Sequence, residues 1–345
     1  MTKERSLSID AAKGIGITLM FLGHMQIGES LLAFIYSFHM PLFVIISGFL
    51  FRADKPFFVS VRRRAKALLL PYLYTNLAAL CVRFILLAKA GSFTASGAVG
   101  IATAQTKATL LGMGFARNLF TNTESVGPIW FVPFLFCVYV LFLIVEKICS
   151  NQFIEFIIIV SLSILGFYIG TEIAFLPWSF DASLVALPLF YAGNKLNQYR
   201  FFERKYCNIF SFLLAVFWLL FYRKSGMVAL VTRAYELFPL CLFVAIAGSI
   251  FILYLLQLTE RSQKCTPLLK PLAFCGRHSM LLLGIHTIER WHIGWLDTIQ
   301  SKCPNLLCSF VVYLALLIAI ALIILSIRQF GVSALKKKNL FCSKP

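Results

Sequence analysis

The feature that most constrains this chain is a succession of apolar runs, each about twenty residues long, separated by short basic or Gly-, Ser- and Pro-containing connectors. A bilayer core about 30 Å thick is crossed by about 20 residues of helix, and within it every backbone polar group needs an internal partner. The runs at 9–27, 31–51, 67–88, 128–146, 152–170, 181–197, 208–222, 234–256, 272–289 and 306–327 therefore predict an all-α, polytopic membrane helix bundle of about ten spans. Of 345 residues, 60% are hydrophobic and 13% charged, with a mean hydropathy of +0.85. Spans on this scale use up the length and leave no room for a sizeable soluble domain. The first run carries Lys13 and passes into the second without a small-residue cleavage site, so it is expected to be retained rather than removed as a signal peptide.

A net charge of +18 on its own would suggest nucleic acid, but the basic residues lie between apolar runs and form no single exposed basic domain. Their distribution sets topology instead. Lys and Arg concentrate on the side shared with the N-terminus, which places both termini in the cytoplasm, with the loop Phe51 to Lys66 inside and Lys89 to Gly127 outside. Residues 1–335 read as one transmembrane domain and 336–345, opening on Lys336-Lys337-Lys338, as a basic cytoplasmic tail. Small residues dominate Lys89 to Ala108, and Arg117, Asn118, Asn122 and Glu124 follow, so this stretch reads as a long outer loop able to hydrogen-bond a polar acceptor. The ten cysteines are scattered, with no CxxC pair and no repeated ligand spacing, and no metal is expected. Nothing in the sequence dictates an oligomeric state.

Costly polar groups enter the first two spans. On a helix, Asp10, Lys13 and His24 share one face, and Lys13 and His24 lie about 16 Å apart along the axis. Gly14 and Gly16 thin the helix beside them. A cation near one surface and an imidazole deep in the span suit a long ligand with an anionic end; alternatively, Lys13 snorkels to the interface and His24 caps a helix end. The connection Gly28-Glu29-Ser30 is short enough to force a hairpin that brings His39 toward His24, and Pro41 is expected to kink or open the second span beside it. His39 has two readings: a site residue, or a ring hydrogen-bonded to a carbonyl freed by the proline. Arg62, Arg63 and Arg64 in the next loop suit phosphate groups as well as topology and lipid binding. Without a Gly-rich phosphate loop they suggest an anion rather than a nucleoside triphosphate specifically.

The run Asp10-x-x-Lys13-Gly14, then Gly23-His24, Phe38-His39-Met40-Pro41-Leu42-Phe43 and Ser47-Gly48, resembles the opening of the acyltransferase 3 family of integral membrane acyltransferases. Many members carry Arg at the Lys13 position. Weaker echoes follow at Pro71-Tyr72, Trp130-Phe131, Pro188 with Gly193, and Gly276-Arg277-His278-Ser279 with His286. The resemblance implies an O-acetyltransferase-like or fucose 4-O-acetylase-like enzyme of the bacterial inner membrane. Such an enzyme takes acetyl from acetyl-CoA and passes it to a hydroxyl of a surface carbohydrate or glycolipid. On that reading His24, His39 and Asp10 are the catalytic candidates, with His24 the proton acceptor, and Lys13, Arg62, Arg63 and Arg64 hold the anionic donor. A transporter or flippase, with the same His, Lys and Asp groups forming a proton or substrate path, is the alternative from another class.

Later polar residues are sparse. Glu172 and Asp181 read as loop solvation, Arg233 and Glu236 as a pair across one helical turn, and His286, Glu289 and Arg290 as a cluster snorkelling at the outer interface.

Overall fold

The computed structural model describes residues 6–115, 124–262 and 264–342, with side chains to residue 330. Arg117, Asn118 and Asn122 lie outside the described residues, as do the side chains of Lys336, Lys337 and Lys338. The helices run in order α1 (Leu7–Gly23), α2 (Glu29–Tyr36), α3 (His39–Phe49), α4 (Phe57–Lys89), α5 (Ala95–Leu111), α6 (Phe131–Ile148), α7 (Gln152–Tyr168), α8 (Phe180–Val185), α9 (Leu187–Gln198) and α10 (Cys207–Phe221). A two-residue ladder, β1 (Val228–Ala229) with β2 (Ala234–Tyr235), interrupts them. Then come α11 (Leu240–Arg261), α12 (Thr266–Arg277), α13 (Ser279–Ile288), α14 (Trp295–Lys302) and α15 (Leu306–Cys342).

The protein is an all-α membrane bundle, but among the described residues six helical stretches, not ten, are long and apolar enough to cross a bilayer: 29–49, 57–89, 127–148, 152–173, 240–261 and 306–330. The other four expected windows fold into shorter pieces. α1 has 17 residues and α10 has 15. The window 181–197 divides into α8 and α9 ahead of Pro188, and 272–289 breaks at His278 between α12 and α13.

Two expected loops are helical. The basic stretch 51–66 joins α4 from Phe57 onward, since no Gly or Pro interrupts it until Pro71 and Arg and Lys are good helix formers. The small-residue stretch after Lys89 forms α5: the Thr94 hydroxyl accepts from the Gly97 N–H at one end, and Gly112 takes a left-handed conformation (φ 59°) at the other. Its alanines favour helix, and small side chains there do not mean loop.

Two glycine crossings set the walls of the bundle. A Cβ on Gly14 would collide with the Leu272 carbonyl of α12, and one on Gly276 with the Asp10 carbonyl of α1. The same arrangement recurs where α3 meets α9, with Gly48 against the Phe190 carbonyl and Gly193 against the Ile45 carbonyl. At these points backbones touch, which only a residue without a side chain permits. The start of α1 is also tied to the end of α11, because Glu260 accepts from the Leu7 and Ser8 N–H groups at 2.7 and 3.2 Å.

The hairpin after α10 folds back into the bundle. Arg233 pairs not with Glu236 but with Asp181 of α8, through Nε at 2.7 Å and a second guanidinium nitrogen at 2.9 Å, and both side chains are buried. Asp181 is thus a buried counter-ion rather than loop solvation. The same guanidinium donates to the Val231 carbonyl at 2.8 Å and holds the apolar tip Val228–Val231 inward.

Candidate active site

The first two spans fold as a hairpin whose second arm is broken. Helix α2 stops at Tyr36 and α3 restarts at His39, with Pro41 in its first turn, where the absent N–H costs nothing. The carbonyls freed at the break find side chains: Ser37 Oγ donates to the Phe34 carbonyl at 2.7 Å, and His39 Nδ1 donates to the Ile35 carbonyl at 2.8 Å. That bond leaves Nε2 of the uncharged His39 ring as an acceptor. The ring does both things expected of it as alternatives, since it pairs with a freed carbonyl and also lines a cavity of about 300 Å³.

His24 and Lys13 of α1 line the same cavity, as do Arg64 of α4 and Arg277 of α12. Lys13 and Arg277 are neighbours of the glycines at which α1 and α12 touch, so the crossing itself sets two cations on the wall. Arg64 lies 4.9 Å from the centre of the Tyr139 ring, and its buried Nε has no hydrogen-bond partner among the described residues, leaving a donor that an anionic ligand can satisfy. Between the cations and the imidazoles the wall is apolar, with Ile17, Met20, Phe43 and Leu135, and Trp130 and the hairpin tip Val228–Val231 complete it. Trp130 is buried against Phe131 and Phe134 and is a wall residue.

Other expected site residues fall elsewhere. Arg62 and Arg63 are exposed on the turn that carries Arg64 and are not on the cavity wall. Asp10 is buried, with its carboxylate 3.9 Å from the Lys13 ammonium, and lines a second cavity of about 610 Å³ with Arg52, Glu260 and Arg261. Lys13 lines both cavities.

Behind His24 stands a group that sequence reasoning misjudged. His24 Nδ1 lies 2.7 Å from His286 Nε2, with the two rings within 7° of parallel. His286 Nδ1 lies 2.6 Å from the Tyr313 hydroxyl, which in turn donates to Glu289. The other Glu289 oxygen accepts from the Leu296 N–H at 2.8 Å. His286, Tyr313 and Glu289 are buried, so this is no snorkelling cluster; only Arg290 turns outward, to Asp297 at 2.9 Å. The His286 to Glu289 spacing of three puts both on one helix face and was a usable signal; Tyr313, one tyrosine in an apolar run, gave none.

The arrangement sets two imidazoles and three cations on the wall of one largely apolar cavity. It suits proton abstraction beside a ligand that also carries an anionic group. A family profile described as an acyltransferase domain matches residues 6–326. The chain is 45% identical over 87 residues to nodulation protein NolL of Mesorhizobium japonicum, a stretch making up 21% of this chain and 23% of that protein, so the likeness spans about a quarter of the relative's length. No solved structure matches. With the profile matched along nearly its whole length, the chain belongs to the acyltransferase 3 family.

Proposed function

We propose that the protein transfers acetyl from acetyl-CoA to a hydroxyl of a surface carbohydrate or glycolipid, and that it does so from a bacterial inner membrane. The observation that carries the reading is the single cavity lined by the cations Lys13, Arg64 and Arg277 and by the imidazoles of His24 and His39. A donor with phosphates at its head and a thioester at the end of a long, slender arm suits a cavity lined by both cations and imidazoles, and the Arg64 Nε, without a partner among the described residues, fits an anion. Arg62 and Arg63 reach the nucleotide from outside the cavity, and Asp10 orients Lys13.

His24 Nε2 takes the proton of the acceptor hydroxyl as its oxygen attacks the thioester carbonyl. It returns that proton to the sulfur when the carbon–sulfur bond breaks. His39 Nε2 faces the same chemistry and orients the acceptor hydroxyl. In this reading all ten apolar windows are membrane-embedded. Both termini are cytoplasmic, residues 1–335 form the catalytic domain and 336–345 a basic tail, and the donor enters from the cytoplasm.

Membranes containing the protein, incubated with acetyl-labelled acetyl-CoA, are expected to gain label in surface glycans or glycolipids identified by mass spectrometry. Movement of a glycolipid across the membrane with no label transferred would contradict the proposal and favour a flippase.

A further inference from the structure

The hydrogen bonds behind His24 have a direction, and one group fixes it. A carboxylate only accepts, so the Tyr313 hydroxyl gives its single proton to Glu289. The tyrosine oxygen must then accept from His286 Nδ1–H, which leaves His286 Nε2 as an acceptor for His24 Nδ1–H when both rings are uncharged. His24 Nε2 is left with a lone pair. The chain thus selects, across 262 positions of sequence, the tautomer of His24 that a base in the cavity requires.

The geometry points to a proton-holding relay in which Glu289 is the terminal acceptor and His286, Tyr313 and Glu289 act as positioning residues for His24. The inference rests on the acyl-transfer reading. As His24 Nε2 takes the hydroxyl proton, His24 Nδ1–H passes to His286 Nε2, His286 Nδ1–H to the Tyr313 oxygen, and the tyrosine proton to Glu289. Both imidazoles end uncharged, Glu289 ends as a carboxylic acid, and the single negative charge moves from Glu289 to the oxyanion developing on the acetyl carbonyl. When the carbon–sulfur bond breaks, the sulfur takes the Nε2 proton, each shift reverses, and Glu289 is a carboxylate again. The hydroxyl proton ends on the thiol and none is gained or lost. Without the shift, an imidazolium, an oxyanion and the Glu289 carboxylate would have to coexist in a buried, low-dielectric site, which is costly.

A purely structural role, tying α13 to α15, makes a different prediction. Glu289→Gln keeps an oxygen for the Leu296 N–H, and Tyr313→Phe keeps the ring between Phe21 and His286, so both variants test the proton path with little change in packing. Initial rates at saturating labelled acetyl-CoA, per amount of protein in membranes, are to be measured in mixtures of H2O and D2O. For the wild type the rate is expected to fall along a bowed curve with deuterium fraction, because several protons move together. Each variant is expected to lose about tenfold to a hundredfold in rate, part of what general base catalysis supplies, with the KM for acetyl-CoA unchanged and a straight-line deuterium dependence. Wild-type rates in both variants, or a bowed curve retained in slowed variants, would overturn the relay and leave His24 as an unassisted base. Absence of acetyl transfer by the wild type would overturn the relay together with the functional reading beneath it.

Discussion

Lys13 is the residue on which the donor assignment turns. Its ammonium lines both cavities, lies 3.9 Å from the Asp10 carboxylate, and shares the inner wall with Arg64 and Arg277. A charge-assisted contact to phosphate contributes about 1.5–3 kcal/mol, so Lys13→Gln is expected to raise the dissociation constant for acetyl-CoA by about tenfold or more, while Lys13→Arg retains most of the affinity. Equilibrium binding to the purified protein checks this, and unchanged affinity in Lys13→Gln would remove Lys13 from the donor site. The relation of Lys13 to His24 was legible because Lys13 lies on α1 and His24 caps its end, so the 3.6-residue period largely fixes it. The His286, Tyr313 and Glu289 group was not, since nothing local in sequence ties residues on α13 and α15 to the end of α1. The place of Arg277 on the cavity wall was not legible for the same reason: it follows from the contact of α1 with α12 at Gly14 and Gly276.

At the scale of elements, the two glycine crossings do the positioning. Gly14 and Gly276 let α1 and α12 meet backbone to backbone, and the cations beside them reach the cavity only at that spacing. Gly276→Ala adds a Cβ where the Asp10 carbonyl stands, and overpacking of this kind costs about 1–3 kcal/mol. The variant is expected to unfold at lower temperature in detergent, with weakened donor binding, whereas Gly28→Ala, where an added Cβ meets nothing within 4 Å, is expected to behave like wild type. Equal thermal stability of Gly276→Ala and wild type would contradict the tight crossing. The break between α2 and α3 was legible from Pro41, because a residue without an N–H must fall in a first turn or disrupt a helix. The helix α5 was not, because small residues were read as loop where alanine content and the Thr94 and Gly112 caps favour helix.

At the scale of the molecule, apolar content alone made the membrane bundle legible, while the division into spans was not. Length and hydropathy do not say where a buried helix breaks, and α8, α9, α12 and α13 break inside the bundle, where neighbouring helices can satisfy the freed backbone groups. The basic asymmetry gives a direct topological test. In a cysteine-free background, single cysteines at Lys55 and Ser96 are expected to label from opposite sides with an impermeant reagent, and labelling of both from one side would overturn the orientation. The central claim is that His24 is the base of an acyl transfer carried out within this bundle. The most direct test is transfer of labelled acetyl from acetyl-CoA in membranes carrying equal amounts of correctly inserted wild-type or His24→Ala protein. Transfer by the wild type and a loss of about a hundredfold or more in the variant are expected. Transfer by His24→Ala at the wild-type rate would contradict it.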